Sequence, residues 1–449
     1  MEDIFKLRKG LDIKLEGVAV KEIKKVADIQ DYAMCPDDFI GIVPKVMVKP
    51  GDVVKAGSVL FVNKRCPSVQ FVSPVSGIIE AVERGERRKV LSVRIKADKE
   101  QDFIDFGKQN LESLSGDSVK ELLLTSGLFG FIKQRPFDVT ACPDDTPKAI
   151  FVSSFSKMPL AADFSFVVKG QEEDFHLGIV ALSKMAKVHI GITPAQQQQG
   201  FVNVTNADVH VFDGPNPSGN VGVHINHVDP INKGEIIWTL GAEEVLFIGR
   251  LIRTGKVDFT RIVALAGSEV KDPAYYQMKV GAALEGLLKS NITESSHVRV
   301  INGNPLVGTK TSCCGFLGAH VTEVTVIPEG DDVHEVFGWI APRLNDFSVN
   351  RSYFSWLLGK KAYRLDARIK GGERHMIMSG EYDRVFPMDI YPEYLIKAII
   401  TGDIDRMEAL GIYEVAPEDF AVAEFVDSSK LELQRIVRQG LDMLRKELM

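Results

Sequence analysis

The chain has 449 residues, 45% apolar and 26% charged, with a formal net charge of −7. Single cores stop growing near ~250–300 residues, so this length implies two to four domains. The apolar fraction excludes a disordered chain, and the acidic balance argues against the clustered positive surface that nucleic-acid binding needs. The opening residues Met1 to Lys6 lack the basic start and apolar stretch of a secretory leader. No run approaches the ~18–20 apolar residues that cross a bilayer. Five cysteines occur, Cys35, Cys66, Cys142, Cys313 and Cys314, without a C-x-x-C. An odd count without framework spacing reads as free thiols in a reducing compartment.

Residues 1–100 are rich in β-branched residues and turn signals. Pro50-Gly51-Asp52 separates strand-like runs at 46–49 and 59–62, and Ser73-Pro74-Val75-Ser76-Gly77 precedes runs at 78–82 and 88–95. The two halves repeat strand, Pro/Gly turn, strand. Residues 101–148 form a helix and a linker: Asp117 reads as the N-cap, Gly127 as the stop, and Pro136, Pro143 and Pro147 as linker punctuation. From 149 to 267 strands (149–155, 188–192, 209–212, 261–266) alternate with helices (176–186, 242–253), which implies a mostly parallel sheet with covering helices. Within it, 196–199 reads as a polar loop, and Gly214 to Gly219 as a rigid surface loop whose two prolines remove phosphate-binding donors. From 268 to 330 a helix at 276–289 and strands at 298–301 and 321–327 suggest a β-grasp module. Residues 331–449 read as mainly helical after an initial strand, and 429–448 places Leu433, Ile436, Val437, Leu441, Leu444 and Leu448 on one helical face.

Several spaced motifs carry a resemblance. Val48 to Gly57 with Ser73 to Gly77 resembles the lipoyl/biotinyl carrier fold, a barrel-sandwich hybrid closed by two tight turns. Beyond it, Ser126-Gly127-Leu128 with Arg135-Pro136-Phe137, Pro159 to Asp163, His224 to Pro230 and Leu265-Ala266-Gly267 occur in order. Glu335 to Ile340, Gly371 to Arg374 and Tyr382 to Ile390 follow. Over almost the whole chain this ordered set resembles the A subunits of the sodium-translocating NADH:quinone reductases. The resemblance implies a multidomain α/β protein: the barrel-sandwich hybrid, a Rossmann-like sheet, a β-grasp module of SLBB type and a helical C-terminus. It further implies a peripheral location on the cytoplasmic face of a bacterial inner membrane. Its partners would be integral membrane subunits, above all the quinone- and FMN-bearing B subunit. The complex would couple electron transfer from NADH to quinone to sodium export, with NADH, FAD, FMN and iron–sulfur centres in neighbouring subunits.

The chain is also similar to the flavin-binding subunit of respiratory complex I and the C subunit of the Rnf complex. There a glycine-rich loop after a Ser-Gly pair offers backbone N–H groups to flavin phosphate. Here Phe129, Phe131 and Ile132 stand at that place, and bulky side chains block close approach to the backbone. No cysteine occurs in 421–433, so an iron–sulfur cluster is not expected there.

Lys64 lies where a carrier domain bears its modified lysine, but its flank, Asn63 before and Arg65-Cys66 after, fits neither the biotin nor the lipoyl pattern. His224 and His227 are three apart, in a context that reads as strand or loop and as structural histidines. A quinone site needs an apolar wall and one or two donors for the carbonyl oxygens. Phe129, Phe131 and Phe137 with Lys133 and Arg135 form one candidate, and Tyr32, Met34 and Phe39 a second wall; the resemblance implies the same two regions. Core packing of the phenylalanines is the competing reading. Trp339, Arg343, Phe354 and Trp356 are candidates for docking on a membrane-embedded partner. No acid, base or nucleophile set stands out. A purely structural adaptor, or a flavin-binding or carrier protein, are the alternative readings.

Overall fold

The computed structural model describes residues 4–26, 28–199, 206–293, 296–333, 343–351, 353–358 and 361–448. Two small sheets make the N-terminal unit. One orders Asp31–Met34, Val90–Ala97, Gly77–Arg84 and Val53–Val54; the other Pro44–Val46, Val59–Asn63 and Cys66–Val72. Alternate residues of both, among them Leu60, Val69, Ile79 and Val93, are buried in one cluster, as period-2 patterning requires. At the turn between them the Asp52 carboxylate accepts the Lys49 N–H at 2.7 Å, an Asx-type closure that the Pro-Gly-Asp sequence favours.

A seven-stranded sheet follows, in the order Ile4–Lys6, Asp208–Asp213, Val188–Ile192, Ala149–Ser153, Ile237–Gly241, Lys133–Arg135, Val139–Thr140. The first five run parallel. Their continuous apolar runs are what strands buried on both faces need. On one face Ile150 and Val152 join Ile179 and Val245, from helices Glu172–Ser183 and Ala242–Thr254. On the other, Ala149 and Phe151 pack with Ile225 of helix Val221–Val228. The two helices on the first face cross closely because Gly249 has no Cβ; one there would collide with the Asp174 carbonyl oxygen.

Several expectations change. The linker at 101–148 contains two strands of this sheet, Lys133–Arg135 pairing antiparallel with Ile237–Gly241. Helix Gly116–Thr125 is capped by Ser115, whose side chain accepts from the Ser118 N–H, with Asp117 in its first turn. Residues 196–199 are no loop: Pro194–Gln198 is a short helix with a Thr193/Gln196 capping box and Pro at its start. The segment 214–219 is no surface loop either. Asn216 and Ser218 are fully buried, because residues 7–12 run over them: Asn216 accepts the Leu11 N–H at 2.8 Å and donates its own N–H to Asp12 at 3.0 Å.

The helix expected at 276–289 is instead a strand, Ala274–Lys279, followed by a one-turn helix, Glu285–Leu288. Tyr275, Tyr276 and Met278 suit a pleated, half-buried surface. This strand pairs antiparallel with Thr260–Ala266, which therefore leaves the parallel sheet and sits inside a six-stranded mixed one. The order there is Thr309–Thr311, Val298–Asn302, Glu323–Pro328, Thr260–Ala266, Ala274–Lys279, Val20–Lys25.

One apolar cluster runs through the barrel unit and both larger sheets. A second belongs to the C-terminal helices, including Pro392–Thr401, Ala421–Val426 and Leu433–Leu448. The last helix starts at Leu433, four residues later than the expected 429, because Asp427 accepts the N–H groups of Ser429 and Leu431. Leu433, Val437, Leu441 and Leu444 are buried, whereas Leu448 is 52% exposed. Residues 334–342, near the start of the segment where an initial strand is expected, lie outside the described residues.

Candidate functional site

In the parallel part of the large sheet, Ala149–Ser153 is followed in space on one side by Val188–Ile192 and on the other by Ile237–Gly241. The connections leave in opposite directions there, and crevices at the carboxyl ends of such strands are the usual ligand sites of open α/β sheets. A cavity of about 540 Å³ lies at that point, lined by Ser153, Ser154, Leu240 and Gly241 from the strand ends. The six-stranded unit contributes Asn304, His320 and Glu323, the barrel unit Asp38 and Ile40, and the strand region after helix Gly116–Thr125 Phe131, Lys133 and Asp138. Its volume is that of a small-molecule pocket.

Buried charge gathers on the wall formed by the start of helix Ala242–Thr254. Glu243 and Glu244 open helix Ala242–Thr254 in its first turn, where the helix dipole favours carboxylates. Arg261 is fully buried beside them, its Nη2 donating to Glu244 at 3.0 Å, its Nη1 to the Val321 carbonyl at 2.7 Å, and its Nε 3.5 Å from Glu243. One guanidinium cannot neutralise both carboxylates. Burial pushes Glu243 up to about 8, Arg261 offsetting only part of this. For Glu244, burial is outweighed by Arg261 and His320, which hold it at about 2. His320 is pushed below its ordinary value by burial, so its imidazole is neutral near pH 7. Asp38 accepts the Ala319 N–H at 2.9 Å and is raised by burial to about 6.

Behind this wall the two candidate quinone segments meet. Phe39 and Phe131 stand edge to face at 5.5 Å, each also within 5.5 Å of the His320 ring. Lys133 lines the cavity with Phe131. The other candidates are elsewhere. Phe129 is buried edge-on against Trp238. Arg135 is fully buried and bonds Asp419 and Glu418, both at 3.0 Å; those carboxylates outweigh its burial and raise its pKa. Phe137 packs on the C-terminal helices, its carbonyl accepting from Arg438. Met34 is core, and Tyr32 lines a second cavity of about 500 Å³ with Gln277 and Lys279.

The loop at 127–131 has no open backbone. Gly127 has φ 77° and Leu128 to Phe131 are buried; the Val72 and Phe71 side chains close on Gly127 and Gly130. Phe129, which the residue pattern sets in a nucleotide's way, points into the core. His224 and His227 lie on helix Val221–Val228, not on strand or loop, and each bonds a backbone carbonyl, of Ser218 at 2.9 Å and Val223 at 2.8 Å. Lys64 is exposed at the two-residue turn joining Val59–Asn63 to Cys66–Val72, where Asn63 accepts the Arg65 N–H at 3.2 Å.

Of the docking candidates, Trp339 lies outside the described residues. Arg343 bonds Asp346 at 2.8 Å and covers Tyr353. Phe354 and Trp356 are exposed on one short turn with Leu357 and Leu358. No helix among the described residues is long and apolar enough to cross a membrane. Sequence reasoning misses Glu243, Glu244, Arg261 and His320; the available signal is an acidic pair opening a helix directly after a strand.

Three family profiles match: "NqrA N-terminal barrel-sandwich hybrid domain" over 5–98, "NqrA second alpha/beta domain" over 114–257 and "NQRA C-terminal domain" over 262–312. Among curated relatives, the A subunit of the Na(+)-translocating NADH-quinone reductase from Yersinia pseudotuberculosis serotype O:1b (strain IP 31758) is 35% identical over 99% of this chain and 100% of its own. Its counterpart from Neisseria meningitidis serogroup A (strain Z2491) is also 35% identical, with the same coverage. Among solved structures, an NAD+-reducing [NiFe]-hydrogenase superposes with a TM-score of 0.37 at 11% identity, covering 75% of this chain and 64% of its own.

Proposed function

Because the chain belongs to the NqrA family, the A subunits of the Na(+)-translocating NADH-quinone reductases, we propose that it serves that complex by helping to form or gate the quinone site at its central cavity. It is one component of a multi-subunit oxidoreductase. In this reading it sits on the cytoplasmic face of the inner membrane against integral membrane subunits, chiefly the quinone- and FMN-bearing B subunit. It holds no flavin itself: the buried 127–131 backbone supports this, and NADH, FAD, FMN and iron–sulfur centres belong to neighbours. The five parallel strands with helices on both faces support a Rossmann-like unit. The six-stranded mixed sheet with one short helix supports an SLBB-like β-grasp module at 268–330, with Val20–Lys25 and Thr260–Ala266 pairing in from outside that range.

One observation carries the proposal. Two segments 92 positions apart in sequence bring Phe39 and Phe131 edge to face at 5.5 Å beside His320; Phe131 and His320 line a cavity that also offers Lys133, and Phe39 packs behind them. A quinone ring needs that combination of apolar wall and hydrogen-bond donors. The test is photo-crosslinking of the assembled complex with a quinone analogue. Label on peptides holding Phe39, Phe131 or Lys133 is expected; label confined to membrane subunits refutes the site. The exposed turn Phe354–Leu358 favours a second role as adaptor, which that negative result would leave standing.

A further inference from the structure

The sheet face under helix Val221–Val228 carries a second group of polar side chains. Neighbouring parallel strands pair Phe151 with His189, His189 with Asp208, and Gly191 with His210. His189 and Gly191 are two apart, so His189 and His210 project from the same face. At Gly191 the His224 ring packs onto that face, where a Cβ would lie 2.3 Å from it. His189 Nδ1 lies 2.9 Å from His210 Nε2 and 3.9 Å from an Asp208 carboxylate oxygen. One ligand atom from each residue falls within 4.8 Å of the other two.

We propose that His189, His210 and Asp208 form a binding site for a divalent transition-metal ion of the zinc class, with water as fourth ligand. Two imidazole nitrogens and a carboxylate oxygen are a familiar three-ligand set for Zn²⁺, and tetrahedral coordination at ~2.0–2.1 Å sets nitrogens roughly 3.3 Å apart. The ring nitrogens are within ~0.4 Å of that spacing, so small side-chain rotations suffice. The site is graded from inside to outside: His189 is 4% exposed, His210 half-buried, and the Asp208 side chain 53% exposed. A hydrated ion therefore has an approach through the carboxylate. Phe151 stacks on His189 at 4.7 Å and fixes the ring, the role outer-shell partners play at metal centres. Lys187 bonds the same Asp208 oxygen at 2.8 Å; the ion would displace this ammonium or use the other oxygen.

The test uses the full chain, stripped with chelator and titrated with Co²⁺ and Zn²⁺. The expected result is one equivalent of Co²⁺, with the visible absorption of a tetrahedral N/O site, displaced by Zn²⁺. H210Q and D208N should each weaken binding about 10-fold or more while keeping the wild-type circular dichroism. Two variants separate this site from the other ligand groups, Cys66/Cys142/Asp144 and His297/Asp331/Asp332. C66S/C142S and D331N/D332N should bind as the wild type does. The proposal is overturned by no saturable uptake in the micromolar range. It is equally overturned by a thiolate-to-cobalt charge-transfer band, or by uptake that survives H210Q and D208N.

Discussion

Arg135→Met separates an anchoring role from a quinone-binding one. Arg135 is fully buried, donating to Asp419 and Glu418 at 3.0 Å each and to the Glu414 carbonyl at 3.3 Å. It joins an inner strand of the seven-stranded sheet to the C-terminal helical unit. Asp419 is buried too, and its other donors are neutral, the Ala416 N–H at 2.9 Å and Asn220 at 3.3 Å. Methionine fills the volume but leaves that carboxylate without a countercharge, which costs about 3–5 kcal/mol. Asp419→Asn in the same chain removes the stranded charge while keeping the acceptor for Ala416. R135M/D419N should therefore recover part of the loss, with a coupling energy of about 1–3 kcal/mol. Urea denaturation followed by circular dichroism measures all three variants. At urea concentrations where R135M stays folded, quinone-analogue labelling per folded molecule should equal wild type. A stability change under ~0.5 kcal/mol, or labelling lost with stability intact, refutes the anchoring argument.

Glu243→Gln tests the buried charge wall. The Glu243 carboxyl is raised from its ordinary 4.5 to about 8, so its contribution to stability is fully present below pH 4.5 and lost as pH rises through about 8. Relative to wild type, E243Q should gain stability steadily across that window in thermal melts; parallel curves would contradict the assignment. Glu244, held at about 2, contributes above pH 4.5 and loses that contribution as pH falls through about 2. Gly249→Ala forces apart the two helices on one sheet face and should cost about 1–3 kcal/mol by overpacking, read from denaturation midpoints; a neutral result would mean the helices slide freely. Trp356→Ser with Leu357→Ser should change stability by under ~0.5 kcal/mol yet reduce co-purification with the membrane subunits. Unchanged co-purification would remove this turn from the interface.

The sequence was readable where local chemistry and tertiary placement agree. Strand 149–153 and helix 242–254 carry patterns that mean one thing in any context, and the Pro-Gly-Asp turn closes as its residues dictate. It misleads at 274–279, where Tyr276, Gln277 and Met278 fall inside a helical pattern that reaches on to Lys289. Only pairing with 260–266 shows the run to be a strand. The Thr193-Pro194…Gln196 capping box was legible and overlooked, because polarity outweighed spacing. At the cavity, residue type alone could nominate Phe39 and Phe131 but not sort them from Phe129, Arg135 and Phe137, since facing is decided by strand pairing. Glu243, Arg261 and His320 come from three separate elements, and no window of sequence contains their meeting.

Two strands that precede the barrel unit have an odd fate. Ile4–Lys6 completes the edge of one sheet by pairing with Asp208–Asp213, and Val20–Lys25 completes another by pairing with Ala274–Lys279. Both emerge from the ribosome long before their neighbours exist, with the whole barrel unit made in between. Order of translation and order of assembly are therefore reversed here: each strand must stay unpaired for some 200–250 residues of synthesis and then stitch the finished layers together. A nascent chain halted before about residue 280 would carry exposed strand edges of the kind that draw chains into aggregates.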